Sequence, residues 1–444
     1  MLWRGRATLA GLGLGVALGI WSLLTASSEP KPVEGSDAGT AELPDVAARG
    51  PAKDSAVPVA PVAALLPPVG REALERVDPA TGRLEVERRV PPGRSDLVGP
   101  LEVQTTLDAG VTRWVWDVLE RGRVELGHAL VLDPTTRELR AYVSTAPERF
   151  PPTRSYPAAS LVKVVTAAAA LDVAPGVAEG APCRYTGSPW RLTRARLDLQ
   201  GRGRAVSLRR ALATSNNQCF AQLGVHRIGG PALLEAIDRF GLLRSPGPGH
   251  PGGRAEDPGA DALEVGKLAS GLDGLAITPL HALGLAATLV DGRRAPVRWV
   301  DGVVDGEGRQ LELPDPGPPV QVLTAALAGR IREMLADTTV RGTARKAFRT
   351  RRGRPLLQGI SVAGKTGSLN GEDPDGRYEW FIGLAPAEQP RVLVATVAVQ
   401  GPLYWMSASQ MAAEILKGLF CPQGVCRVEA LQGISRPSAL ARKP

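Results

Sequence analysis

Ser160-Leu161-Val162-Lys163-Val164-Val165-Thr166-Ala167-Ala168-Ala169-Ala170-Leu171-Asp172 carries the reading on which the others depend. From Leu161 to Asp172 the run is apolar nearly all round, which predicts a buried central helix rather than an amphipathic surface helix. Ser160 stands at its N-terminus. Residues three apart are neighbours on a helix, so Ser160 and Lys163 share a face. A lysine amine that near a hydroxyl can take its proton, provided desolvation or a second cation lowers the lysine pKa. Ser160 is therefore a candidate nucleophile and Lys163 its candidate base. Amide groups and the dipole at the helix start favour the negative charge of an activated serine or a tetrahedral intermediate. Two further motifs follow in order, Ser215-Asn216-Asn217 and Lys365-Thr366-Gly367-Ser368. They add a polar shuttle, an amide that can grip a substrate, and a cationic strand. Each motif alone is weak in a chain of 444 residues; ordered and well separated, the three together are strong.

This trio is the pattern S-x-x-K, a serine–asparagine motif and K-T-G, and on it the chain resembles the transpeptidase domain of penicillin-binding proteins. Further stretches carry the likeness: Leu101 to Asp108, the hairpin His128 to Ser144, Ile277-Thr278-Pro279, Gly342-Thr343-Ala344 and Trp380 to Pro386. The resemblance runs from about Val98 to Cys421. It implies a serine D,D-transpeptidase acting on peptidoglycan stem peptides, with β-lactam antibiotics as covalent inhibitors and no cofactor or metal. It also implies roles. Ser160 attacks the peptide carbonyl and Lys163 takes its proton. Lys365 keeps Lys163 neutral and holds the substrate carboxylate, Ser215 relays a proton to the leaving amine, and Asn217 binds the substrate amide. Thr366, Gly367 and Ser368 bind substrate, and the N–H groups of Ser160 and Ser368 form the oxyanion hole.

The remaining pattern is a strand pair, then helices, then strands. Ala129 to Leu132 and Glu138 to Val143 flank the turn-prone Asp133-Pro134-Thr135-Thr136-Arg137 and read as a hairpin. Val206 to Arg227 reads as helices with the second motif in the turn between them, and Pro279 to Leu289 as another buried helix. Tyr378 to Leu384 and Pro390 to Val399 are β-branched and apolar enough for adjacent antiparallel strands, and Met406 to Leu419 closes as a helix. The expected fold is mixed α/β of the β-lactamase and transpeptidase kind: an antiparallel sheet flanked by helices, with an all-helical subdomain.

Ahead of this domain, Arg4 and Arg6 precede a charge-free run of 22 residues, Ala7 to Ser28. At about 1.5 Å per helical residue it spans roughly 33 Å, enough for a hydrocarbon core of about 30 Å. The competing reading is a cleaved signal peptide, against which the run is long and Leu24 stands where a small residue is wanted. The arginines place residue 1 in the cytosol. Residues 1–28 thus read as a cytoplasmic tip and a single-pass inner-membrane anchor, with the catalytic domain periplasmic. Residues 29–96, rich in alanine and proline without sustained period, read as a flexible linker. The transpeptidase domain is expected over 97–426 and a tail over 427–444, an organisation that leaves no glycosyltransferase or pedestal domain. A chain begun near Ser95 should then fold alone.

The net charge is +8, but aromatic content is 4%, and no nucleic-acid motif accompanies the arginine clusters. Nucleic-acid binding is not expected. The four cysteines lie in the part read as extracytoplasmic, which favours disulfides: Cys421 with Cys426 locally, and Cys183 with Cys219 as the remaining pair, although four cysteines allow three connectivities. The four histidines are isolated, which disfavours a Ser-His-Asp hydrolase. The same serine could also serve a D,D-carboxypeptidase or a β-lactamase, for which Glu235 lacks the expected surroundings. A non-catalytic penicillin-binding sensor or scaffold is the remaining alternative.

Overall fold

The computed structural model describes residues 57–178, 180–401 and 405–428. Its front comprises strands β1 (Arg83–Arg88) and β2 (Leu101–Asp108), helix α1 (Ala109–Arg121), and the hairpin β3 (Gly127–Asp133) and β4 (Glu138–Ser144). Six helices follow: α2 (Val162–Val173), α3 (Leu208–Thr214), α4 (Asn217–Leu223), α5 (Gly230–Arg239), α6 (Ala262–Ser270) and α7 (Pro279–Asp291). Strand β5 (Val300–Val304) and helix α8 (Ala325–Val340) lead to β6 (Ala363–Glu372), β7 (Asp375–Ala385) and β8 (Val392–Gln400), and helix α9 (Ala408–Phe420) closes the domain.

Strands from both ends of the chain form one antiparallel sheet in the order β6-β7-β8-β3-β4. Side chains alternate between its faces, and both faces are apolar. Leu130, Leu132, Leu393, Ala395, Trp380 and Ile382 face the main core with the helices α2 and α7. Ala129, Val131, Phe381, Val392 and Val394 face a second core closed by α1 and α9. A sheet buried on both faces explains why β8, Val392-Leu393-Val394-Ala395-Thr396-Val397-Ala398-Val399, reads as an almost unbroken apolar run.

The all-helical part gathers around α2, whose residues Val162 to Leu171 are all buried. Its neighbours begin on side-chain caps. Ser207 accepts the N–H of Arg210 at the start of α3, and Asp261 accepts two N–H groups at the start of α6. Thr278 and His281 form a reciprocal capping box at α7.

The front of the domain departs from the linker expected over 29–96. From Val57 on, this stretch belongs to the fold. Ala60, Ala64 and Leu65 are buried with Leu101, Val103 and Val303. The Ala60 N–H donates to the Glu312 carbonyl at 2.9 Å, and the Trp299 indole N–H donates to the Leu65 carbonyl. Ala73 and Leu84 enter the main core, and β1 pairs antiparallel with β2, which β5 flanks on its other side. The physical reason is that Pro58, Pro61, Pro67 and Pro68 fix extended backbone with few donors of its own. Such a segment takes order from the surface it docks on, so it shows no internal period. The expected anchor (1–28), the first part of the linker and the tail from 429 lie outside the described residues. Among the described residues no helix is long and apolar enough to cross a membrane.

Candidate active site

Ser160 sits in a short 3₁₀ turn, Ala159–Leu161, that feeds directly into α2. Ala159 has φ +48°, a left-handed conformation in a non-glycine residue just before the serine. Gly271, the αL cap of α6 at φ +67°, comes so close that a Cβ there would lie 2.0 Å from the Ala159 carbonyl oxygen. Only glycine lets the end of α6 reach this turn.

That approach brings the Ser270 carbonyl into the site. Lys163 Nζ, fully buried, lies 2.6 Å from Ser160 Oγ, 2.6 Å from Asn217 Oδ1 and 2.7 Å from the Ser270 carbonyl oxygen. The orientation of the Asn217 amide is fixed, because its Nδ2 donates to the Trp190 carbonyl at 2.7 Å. Oδ1 and the Ser270 carbonyl are pure acceptors, which suits the two N–H groups of a neutral amine and leaves its lone pair for the Ser160 hydroxyl. Burial, and next the charge of Lys365, push the Lys163 pKa well below its ordinary value. The geometry and the electrostatics both favour the neutral amine that a base requires.

The second motif follows from helix ends. Ser215 is the αL residue that terminates α3 (φ 55°, ψ 46°), and Asn216 caps α4 by accepting the Cys219 N–H at 3.1 Å. Lys365, also fully buried, donates to Ser215 Oγ at 2.9 Å and to the Thr366 carbonyl at 2.7 Å. Burial brings its pKa down to about 7. Thr366 Oγ1 and Thr343 Oγ1 are 2.6 Å apart. Gly342 allows this, since a Cβ there would meet the Ala213 carbonyl oxygen at 2.2 Å.

Ser160, Ser215, Asn217, Thr366, Gly367 and Ser368 line one cleft of about 910 Å³, with Lys163 and Lys365 buried beneath it. The expected catalytic and substrate-binding residues are thus brought together from the turn into α2 and its first residues, the α3–α4 junction and β6. Asn217 is engaged at both ends of its amide, which leaves one lone pair of Oδ1 for a substrate N–H. Four contributors carried no sequence signal of their own: Ser270, Gly271, Thr343 and Trp190. The first two act through backbone, and Thr343 lies in a stretch noted only for its likeness. Trp190 is 57% exposed on the cleft wall, its indole N–H donated to the Thr214 carbonyl at 3.1 Å. Its loop is held by Gln218, which donates to the Thr186 and Ser188 carbonyls, and is followed by a short hairpin strand. The other strand of that hairpin carries Cys183, which is disulfide-bonded to Cys219 on α4. Cys421 and Cys426 form the second disulfide. Glu235 is exposed on α5 and is absent from the cleft walls, as are all four histidines.

Known proteins resemble this chain in sequence and fold. The family description "Penicillin binding protein transpeptidase domain" matches residues 127–420. Peptidoglycan D,D-transpeptidase PbpA of Mycobacterium tuberculosis is 28% identical, over 67% of this chain and 67% of that protein. Its namesake from Mycolicibacterium smegmatis is 26% identical over the same shares. The crystal structure of the D,D-transpeptidase domain of a peptidoglycan glycosyltransferase from Eggerthella lenta superposes with a TM-score of 0.57 at 25% identity, covering 72% of this chain and 83% of that one. Penicillin-binding protein A of M. tuberculosis, solved as an imipenem acyl-enzyme, shares the fold at a TM-score of 0.55 and 23% identity, over 71% and 78% of the two chains. With a match across most of the domain and the three motifs converging on one cleft, the chain belongs to the penicillin-binding protein transpeptidase domain family.

Proposed function

We propose that the chain is a serine-type peptidoglycan D,D-transpeptidase that cross-links stem peptides through an acyl-enzyme. The observation that carries this reading is the buried Lys163 amine, 2.6 Å from Ser160 Oγ and saturated by two acceptors. Ser160 Oγ attacks the carbonyl carbon of the penultimate D-alanine and its proton passes to Lys163. The developing oxyanion is met by the N–H groups of Ser160 and Ser368. As the C–N bond breaks, the leaving D-alanine nitrogen receives a proton relayed through Ser215. Lys365 and the Thr343 and Thr366 hydroxyls hold its carboxylate. An amine of a second stem peptide then attacks the ester carbonyl, a new amide forms, and the Ser160 oxygen leaves with a proton returned to it. The relatives' names and the family match support the substrate class.

The test is release of D-alanine from a pentapeptide donor together with a cross-linked product when an amine acceptor is present. Ser160→Ala should lose covalent labelling by a fluorescent penicillin by at least about 10³-fold. Persistent labelling of that variant would overturn the nucleophile. Sustained nitrocefin turnover by the unmodified protein would replace the transferase reading with a hydrolase. The charge-free run Ala7 to Ser28 and the two disulfides support an anchored domain outside the cytoplasmic membrane. Recovery of the full chain in a carbonate-resistant membrane fraction, with the domain digested by protease added outside spheroplasts, is the expected result.

A further inference from the structure

The loop that leaves α8 and passes Thr343 carries more positive charge than the domain uses to hold itself together. Arg341 pairs with Asp337, but Arg345, Lys346, Arg349, Arg351, Arg352 and Arg354 have no carboxylate partner among the described residues. Lys346, Arg349 and Arg351 line a groove of about 550 Å³ together with Arg121 of α1 and Lys417 of α9. Among the described residues the groove has a single acid, Glu414, which pairs with Lys417 at 3.2 Å. Val118 and Leu356 add apolar lining. Lys346, Ala347 and Gln410 also border the catalytic cleft, so the groove opens out of that cleft.

We propose that this groove is the binding site for the acceptor strand, which it holds through the carboxylates of the second stem peptide; this rests on the transpeptidase reading above. The incoming amine must take the place that the D-alanine nitrogen vacated, because aminolysis of the ester retraces the geometry of its formation. The departing carboxylate is held at Lys365, Thr366 and Thr343, and Thr343 is two residues from Arg345. The leaving-group side is therefore the side of the arginine loop. An acceptor whose amine sits there runs onward into the groove. Arginine presents a planar fork that grips a carboxylate with two parallel bonds, and the excess of cations raises the local concentration of an acidic chain. A concave groove with apolar lining fits a peptide better than it fits the flat surface of a membrane.

The experiment uses the full chain in detergent, with Ser160 first acylated by a penicillin to fill the donor side. Binding of a fluorescent acidic stem tetrapeptide is compared with that of its amidated, neutral counterpart. The acidic peptide should bind more tightly, and its affinity should fall as salt rises from 50 to 300 mM, values chosen to span the range where screening grows. Arg349→Gln/Arg351→Gln should weaken the acidic peptide roughly fivefold to tenfold and the neutral one less than about twofold. Equal affinity for the two peptides, or no salt dependence in the unmodified protein, overturns the groove without any variant. So does capture of anionic phospholipid vesicles with no binding of the acidic peptide, which assigns the loop to the membrane. Transfer to the free acidic peptide by the unacylated enzyme is measured separately. Binding without transfer sinks the enzymatic reading and leaves the groove standing.

Discussion

The site and the front of the domain are ordered by different means. Around Ser160 each residue is held by partners that its own chemistry requires. Lys163 has three polar neighbours, Ser215 ends a helix, and Asn216 starts another. From Val57 to Pro100 the chain contributes little of its own beyond two 3₁₀ turns and β1. It is ordered by what it lies against: Leu65 under Trp299, Leu84 in the main core, Val69 accepting the Ser144 N–H at 2.9 Å. The difference separates chemistry from attachment. Substitutions in the first region should alter the reaction, whereas truncation of the second should cost stability.

The largest effect expected is from truncation. A chain that begins near Ser95 loses β1, exposes the free edge of β2 and uncovers the surfaces against which Leu65, Ala73 and Leu84 pack. Two buried leucines and an alanine alone contribute on the order of 5 kcal/mol, comparable to the whole stability of many domains. Such a chain should aggregate or lose penicillin labelling, whereas one begun at Glu29 should behave as the full domain does. Leu84→Ala is the milder version, about 2–4 kcal/mol in urea unfolding. If the Ser95 chain matches the longer one in urea midpoint, the docking of residues 57–94 contributes nothing, and these residues are a linker after all.

What was readable in the sequence divides along the same line. The three motifs were legible because the reaction demands residue types, and a serine, two lysines and an asparagine have few substitutes. β8 and the α2 run were legible because burial on all sides leaves one composition. Ser270 and Gly271 were not, since one offers a carbonyl that any residue has and the other an absent Cβ. The Val57–Pro100 stretch was not legible because a docked extended segment has no period to detect, and its prolines read as those of a tether. Trp190 depends on a loop pinned by Gln218 and a disulfide, a tertiary fact with no local trace.

A smaller effect should separate the two lysines by pH. Burial, and next the charge of Lys365, hold the Lys163 pKa well below its ordinary value, while Lys365 titrates at about 7. In the free enzyme the cation that receives the substrate carboxylate is thus lost as pH rises through about 7. The kcat/KM for acylation by a carboxylate-bearing substrate should then fall, approaching tenfold per pH unit. Lys365→Arg keeps its charge and should abolish that alkaline fall, at a lower plateau because the guanidinium does not match the ammonium's place. For stability the sign is opposite. A lysine with a depressed folded pKa contributes most above 10.5, where both states are neutral, and that contribution is lost as pH falls towards 7. Urea midpoints of wild type and Lys365→Met should therefore converge at high pH. An alkaline limb that persists unchanged in Lys365→Arg would assign it to another group.

The smallest effect falls on the residue that belongs to both descriptions. Asn216 lies between Ser215 and Asn217, inside the second motif, and its side chain is buried. Its described bond is the cap of α4, where Oδ1 accepts the Cys219 N–H at 3.1 Å. Asn216→Ala should therefore cost about 1 kcal/mol of stability, the usual price of an N-cap. Acylation should slow by no more than about threefold, through slight movement of Asn217 and the amine that it orients. Capping chemistry makes a sharper test than the loss itself. Asn216→Asp and Asn216→Ser both present an oxygen acceptor at that position, so both should restore the urea midpoint to within about 0.5 kcal/mol of wild type. An amide acting on substrate would be rescued by neither. If Ala, Asp and Ser all lower the acylation rate alike while the midpoints stay put, Asn216 acts on the reaction, and the boundary between chemistry and attachment runs through the motif at a different residue.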